Sequence, residues 1–541
     1  MNTILFNGKI YIDRGRFEEA VFIKDSVIQK VGSNEEILKM HEVDEKIDCK
    51  GNTVIPGLND SHLHMLNFGE RMCQAEIGSC KTIDEMINYC KDYIKNNPDR
   101  VKNGFHAQGW NQDLFTDSDR IPTRHDLDKI SNEIPVILER ICGHILTTNT
   151  KVIELLGLNG DSPQYNGGSF EIGNDNYPNG IFTENACNYA KSLIPRLTIE
   201  EREEMFIKAS EYAAAHGVTT VQSNDIGTVV SSEQKYFDFF NKIYNEGRGI
   251  IRYRHQASFN NIEEFEEYIN NGEYKNGLYK ENSLITLGPL KLFKDGSLGA
   301  RTAFMREDYK DDHNNKGIEW LTCEEMDKYC ELATKANMQI VTHVIGDAAV
   351  EQAIDSYEKT LINGKNKLRH ALVHCQITDR GLLERIVKLG IVVSYQPIFL
   401  DYDMHIVEKR CGKELSKTSY AFNTLEKLGG KIAYGTDCPV EDCNPFSNIY
   451  SAVTRKDSKG QPEGGFYPEE CVDIYTAIDA YTSGSAYMEF MEDRKGRIKP
   501  NYLADLVILD KDIFTCNIME IRNILPLMTM VDGKIVYRKD F

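Results

Sequence analysis

Hydrophobic and polar positions divide the chain into β-rich ends and a long middle that alternates helix and strand. Near the N-terminus, ILFNGKIYI places Asn7-Gly8 between two β-branched or aromatic runs, which predicts a hairpin. AVFIKDSVIQKVG continues the strand pattern. The C-terminus repeats the style, with ADLVILD as a strand and a turn at Asp532-Gly533 in MVDGKIVY. Residues 1–52 and 495–541 are therefore expected to assemble one small β-sandwich.

In the middle, TIEEREEMFIKASEYAAAHG opens on a capping box, Thr198 with Glu201, and stops at Gly217, where VTTVQ follows as a short buried strand. The unit recurs in TCEEMDKYCELATKANMQIVTHV, with Thr322 and Glu325 as caps and Asn337 ahead of the strand. It recurs again in LLERIVKLGIVVSYQP and TLEKLGGKIAYGTD. A helix, a Gly or Asn stop, and an apolar strand ending in a polar residue make the rhythm of an α/β fold of the TIM-type (β/α)8 barrel class. Eight barrel strands are expected near residues 53–58, 218–222, 251–257, 286–293, 339–343, 370–374, 391–395 and 432–436. The gap from about 70 to 205 is too long for one helix and its loops. It predicts an insertion domain over 71–205, covering the mouth of a barrel made from 53–70 and 206–494.

The polar residues at strand ends carry the chemistry, because functional groups of such barrels sit where the strands finish. TVIPGLNDSHLH ends with His62 and His64, which are two apart on an extended chain and so point to one face, placed to grip one cation together. QIVTH ends with His343, ALVH with His374 and IAYGTD with Asp437. One histidine at a strand end is commonly a hydrogen-bonded structural residue. Metal-ligand residue types closing four of eight strands are the convergent donors a metal requires.

Composition narrows the setting. The chain has 541 residues, 41% hydrophobic and 27% charged, with no apolar run approaching eighteen residues and no secretion-signal pattern in MNTILFNGKIYIDRG. A net charge of −20 repels phosphate backbones and argues against nucleic acid as a partner. Fourteen cysteines without a CxxC pair read as reduced thiols of a cytoplasmic protein. A small-molecule substrate, with no membrane partner, is the expectation.

The motif PGLNDSHLH, followed in barrel order by His343, His374 and Asp437, resembles the amidohydrolase superfamily. GWNQDLF at 109–115, KLFKDGSLGARTA at 291–303, HVIGDAAV at 343–350 and YGTDCPVEDCNPF at 434–446 resemble its YtcJ-like branch, which includes N-substituted formamide deformylases. The similarity runs over nearly the whole chain. It implies a further ligand, the lysine of KLFKDGS, and motif position selects Lys291 over Lys294. Burial beside a metal would lower the pKa of that lysine, and carbon dioxide would convert its neutral amine to a carbamate bridging two metals. The resemblance further implies His62 and His64 on the more buried metal with Asp437 beside it, and His343 and His374 on the more exposed one. Two zinc ions per chain are implied, with iron or manganese as alternatives.

The implied activity is hydrolysis of a C–N bond (amide, N-formyl or N-acyl) of a small molecule by a metal-activated hydroxide, with Asp437 as general base and then acid. Trp110, Asn111, Arg140 and His144 match segments that face substrate in relatives, although those commonly read aspartate-glycine-histidine where this chain has Cys142-Gly143-His144. Gln396 matches a family position expected to touch substrate or steady a ligand, and Glu184 and Asp347 match ligand-orienting positions. A homodimer is implied. The competing expectation is a mononuclear aminohydrolase acting on a heterocycle; such relatives carry a glutamate three residues after the fifth-strand histidine, where this chain has Gly346 followed by Asp347. A non-catalytic scaffold would have lost ligand types that are all present here.

Overall fold

The computed structural model describes residues 1–118, 120–140, 145–165, 167–194, 197–270 and 284–541. Among them, short apolar runs form two parallel sheets. The first holds β1 (Leu58–Leu63), β2 (Val218–Ser223), β3 (Arg252–His255) and β4 (Ile285–Thr286), in the order β4-β3-β2-β1. The second runs β5-β6-β7-β8-β9, from Leu290–Phe293 through Ile340–Val344, Ala371–His374 and Val392–Tyr395 to Lys431–Tyr434. A parallel bridge from Ala257 to Leu290 joins the two sheets at one seam. At the other seam, the Asp437 N–H donates to the His62 carbonyl at 2.8 Å.

Helices alternate with these strands, giving an α/β architecture, and their ends are set as the chain pattern requires. Thr198 and Glu201 bond each other's backbone N–H reciprocally ahead of the helix Ile199–Ala215. Thr322 and Glu325 do the same for Cys323–Lys335. Arg380–Leu389 stops at Gly390, whose φ of 69° is a left-handed cap. The strands are buried almost throughout; β6, for example, packs Ile340, Val341 and Val344 with no solvent exposure.

Three expectations from the sequence change. The run 53–58 is not one barrel strand. Thr53–Pro56 pairs with Lys9–Asp13 and Leu506–Leu509 in a six-stranded sheet, and the barrel-type strand begins only at Leu58. Pro56 and Gly57 break the run. The chain crosses between sheets at Gly57, where an added Cβ would lie 2.2 Å from Thr219 Oγ1. The run 286–293 is likewise two strands in two sheets. Gly288 lies against the His255 carbonyl, where a Cβ would sit 1.9 Å away, and Pro289 has no N–H to give a ladder.

Asn7-Gly8, finally, makes a corner and not a hairpin. Asn2–Phe6 joins Ala20–Lys24 and Glu45–Asp48 in a four-stranded sheet, while Lys9–Asp13 enters the six-stranded one. Asp532-Gly533 does close a hairpin, with φ values of 53° and 73° as a type I′ turn requires. The six-stranded sheet draws on both ends of the chain, and Leu5, Ile10, Val54, Leu506 and Met530 share one buried cluster.

Two compact units result, one of residues 1–69 with 203–541 and one of 70–202. The second unit has its own five-stranded sheet and its own core around Phe105, Trp110, Val136 and Leu138. Among the described residues, no helix is long and apolar enough to cross a membrane.

Candidate metal centre

Residues 60–64 at the end of β1 and 435–438 after β9 are tied together by backbone and by one carboxylate. The His64 N–H donates to the Cys438 carbonyl at 2.7 Å, alongside the Asp437–His62 bond. Asp60, fully buried, accepts from the His62 N–H and from both the N–H and the hydroxyl of Thr436. Burial raises the Asp60 carboxyl to about 7, with those donors opposing the shift. The close approach depends on Gly435, where a Cβ would lie 2.6 Å from the His62 nitrogen. Gly435→Ala is expected to push the two strand ends apart and to lower bound metal per chain at least severalfold, read by elemental analysis after dialysis. Metal content equal to wild type would show that the contact is not needed.

This bracing brings His62, His64 and Asp437 together with one ligand atom each within 4.8 Å of one another. The imidazoles are oriented from behind. His62 Nδ1 lies 2.7 Å from Gln256 Oε1, and His64 Nδ1 lies 2.6 Å from the Asn224 carbonyl. Both acceptors fix the Nδ1–H tautomer and leave the Nε2 lone pairs free. Those lone pairs face Asp437 Oδ1 at 3.4 Å and 3.3 Å, and Oδ1 is buried without a hydrogen-bond partner.

Lone pairs aimed at one another across such a gap repel unless a cation lies between them. Two donors each ~2.0–2.2 Å from a tetrahedral zinc stand about 3.3–3.5 Å apart, so the observed spacing fits a divalent ion. Burial lowers the His62 pKa well below the usual range, keeping the ring neutral as a ligand must be. Burial acts the same way on His64, but the nearby negative charge of Asp437 outweighs it and the net shift is upward.

The remaining expected ligands surround the same site. His343 and His374, closing β6 and β7, have ring centroids 4.5 Å apart, and His374 is 5.8 Å from His62. Burial drives His343 down to about 3 and His374 well below its ordinary value. His343 Nε2 donates to the Gly296 carbonyl at 3.1 Å, which leaves Nδ1 as its lone-pair donor. His374 Nδ1 is buried with no partner.

Lys291 is 1% exposed, its Nζ has no hydrogen-bond partner, and it rests 3.7 Å from the Phe293 ring centroid. Burial pushes its ammonium down to about 7. Lys294, by contrast, is saturated: its Nζ donates to Glu319 at 2.7 Å and to the Leu321 carbonyl. The four histidines and Asp437 line a cavity of about 380 Å³ with Phe293, Ser297, Thr302 and Trp320. His374 and Asp437 carry left-handed backbone, φ 72° and 56°, each a strain of about 1–3 kcal/mol of the kind that gathers at functional sites.

Trp110, Arg140 and Gln396 are not among the residues lining this cavity. Trp110 is fully buried, donates its indole N–H to the Leu138 carbonyl, and is core of the 70–202 unit, so packing accounts for its position. Arg140 is engaged by Asn111, Gln112 and Asp113 of the same unit. His144 lies outside the described residues. Gln396 is 3% exposed, donates to Ser394 Oγ, and packs beside His374 without lining the cavity. Glu184 is an exposed strand end in the 70–202 unit. Asp347 accepts from the Arg306 and Ala348 backbone N–H groups and lines a different cavity with Arg306 and Asp379.

Sequence reasoning missed Gln256 and Asn224, which follow β3 and β2. The same strand-end rule that found the histidines points to both. It also missed Trp320, for which the local sequence carries no signal.

The chain resembles known proteins over nearly its whole length. The family described as the amidohydrolase family matches residues 45–537. The YtcJ amidohydrolase of Bacillus subtilis (strain 168) is 30% identical, with all of both chains covered. The N-substituted formamide deformylase of Arthrobacter pascens is 23% identical over 97% of this chain and 96% of its own. A solved metal-dependent hydrolase from Pyrococcus furiosus superposes with a TM-score of 0.76 at 28% identity, covering 95% of this chain and 100% of that one. With the family match spanning nearly the whole length and a full-length relative at this identity, the chain belongs to the amidohydrolase family, and it is a metal-dependent hydrolase.

Proposed function

We propose that the protein hydrolyses the C–N bond of a small N-acyl or N-formyl amine. The observation that carries this reading is the unpartnered Asp437 Oδ1 facing two imidazole lone pairs at a cation's spacing. His62, His64 and Asp437 would hold one divalent ion, and His343 and His374 a second. Lys291 lies close enough to His62, His343 and His374 that its charge is felt at each ring. As a neutral amine near pH 7, Lys291 would take up carbon dioxide, its nitrogen losing one proton and gaining a carboxylate that would serve as a further metal ligand.

Bound metal supplies Lewis acidity and lowers the pKa of water from 15.7 to about 7. Asp437 then receives the proton of the attacking water and returns it to the departing nitrogen, so the carboxylate ends the cycle as it began. Gln256, the Asn224 carbonyl and the Gly296 carbonyl hold the imidazoles in the tautomers this requires. The same reading takes the two parallel sheets as arcs of one TIM-type barrel, and the two terminal sheets as a β-sandwich packed on their shared core.

The direct test is a panel of N-acyl and N-formyl amines incubated with metal-replete protein, reading amine release. Release that disappears on chelation and returns with zinc supports the proposal; no release across the panel counts against it. His343→Ala is expected to abolish release while leaving the melting temperature within a few degrees. Its ring borders the cavity, and the loss is one hydrogen bond to Gly296, about 1 kcal/mol. Full activity in that variant would remove His343 from the centre.

A further inference from the structure

The cavity that holds the histidines contains a side chain that packing does not explain. Trp320 is 56% exposed, while the other tryptophan, Trp110, is fully buried. An indole left this open in water forfeits the burial its ring would otherwise gain. Its ring lies nearly parallel to that of His343, at 13° with centroids 6.5 Å apart. Phe293 lines the same cavity, 5.7 Å from His343, and Phe399 stacks on His374 at 15° and 5.4 Å. The metal-ligand histidines are thus flanked by flat apolar faces, with Trp320 the most open of them.

Trp320 is held there from both sides by one buried residue. Lys294 is fully buried; its Nζ donates to Glu319 Oε1 at 2.7 Å and to the Leu321 carbonyl, and its own carbonyl accepts the Trp320 N–H at 2.9 Å. The residues before and after Trp320 are therefore bound to one ammonium, and Trp320 itself to the same residue's backbone. Lys294 is three positions beyond Lys291, and its backbone N–H donates to the carbonyl of His343, an expected ligand, at 3.1 Å. A fully buried ammonium spent on fixing a surface segment has a positional purpose.

We propose that Trp320 is a specificity-determining residue that stacks on a planar group of the substrate beside the scissile bond, and that Lys294 positions it. This rests on the hydrolase reading of the same cavity. Trp320 takes no part in proton transfer. It selects flat rings over puckered ones of equal atom count, because only a flat ring meets an indole face at van der Waals distance across its whole area.

The test titrates metal-replete protein with acetanilide and with N-cyclohexylacetamide, following tryptophan emission. Acetanilide is expected to bind tighter by on the order of fivefold and to change the emission, since aromatic stacking adds free energy beyond area burial. In Trp320→Leu the preference and the emission change both vanish, because the remaining Trp110 is buried in the 70–202 unit. Lys294→Met should raise KM severalfold for a planar substrate with kcat within twofold, and should make Trp320 more open to acrylamide quenching. Glu319→Gln, which keeps the buried ammonium, should show the same changes at smaller amplitude if Lys294→Met folds poorly.

A planar preference that survives in Trp320→Leu overturns the assignment, as does a kcat loss without a KM change in the Lys294 and Glu319 variants. Titration reads binding and not turnover. A ring preference without hydrolysis would sink the proposed activity alone, and hydrolysis without a ring preference would sink this inference alone.

Discussion

Asp437→Asn will lower kcat by roughly 10²–10⁴-fold, the range that positioned acid–base groups contribute. Asparagine keeps the volume and one oxygen able to reach a cation, so the bracing from the Asp437 N–H to the His62 carbonyl has no reason to change. What disappears is the capacity to accept and return a proton. Metal per chain should stay within twofold of wild type. Retained kcat would strip Asp437 of its proton role. Loss of both metal and activity would reduce it to a ligand.

Lys291→Met should act in opposite directions on the stripped and the loaded protein. With metal removed, Lys291 is a buried amine without a partner, its pKa pushed down to about 7, against about 10.4 in an unfolded chain. Between those values the folded state is neutral while the unfolded state still binds the proton, so stability rises with pH across the window. Below pH 7 both states carry the charge and the folded one bears the full burial penalty. Methionine removes that penalty, so the stripped variant should be more stable than wild type at pH 6–7, by on the order of a few kcal/mol. Its advantage should shrink toward pH 9.

Asp60, Asp295 and Glu441, each raised to about 7 by burial, bend the lower part of the same profile, but they do so equally in both proteins. Guanidinium midpoints from pH 6 to 9 measure the difference. Parallel profiles would mean that Lys291 is not the buried charge described. In the loaded enzyme the same substitution is expected to eliminate turnover, because the carbamate proposed for Lys291 could not form.

The four histidines and Asp437 stood out in sequence because each lies at or just beyond the end of a short apolar strand, and strand, stop and polar end are local properties. Lys291, second in Leu290–Phe293, was singled out only by the family resemblance. Partner choice is not local. TVIPGL reads as one apolar run, yet its two halves pair with different sheets, and only the Pro56-Gly57 dipeptide hints at the break. Asn7-Gly8 has the turn chemistry of a hairpin, but turn chemistry does not say whether the second strand returns to the first. Trp110 attracted a substrate role through its motif and is core, whereas Trp320, the tryptophan in the cavity, lies in a segment whose placement depends on the distant Lys294. Hydrogen bonds from behind a ligand, such as Gln256 to His62, join residues nearly two hundred positions apart and leave no spacing to read.

The crossing at Gly57 bears on how the chain comes off the ribosome. The strand that leads into His62 continues from Thr53–Pro56, which is paired on one side by Lys9–Asp13 and on the other by Leu506–Leu509. Translation delivers the first of these flanks at once and the second only after most of the polypeptide has been made. A prematurely terminated product would leave Thr53–Pro56, the strand just ahead of the histidines, with one open edge.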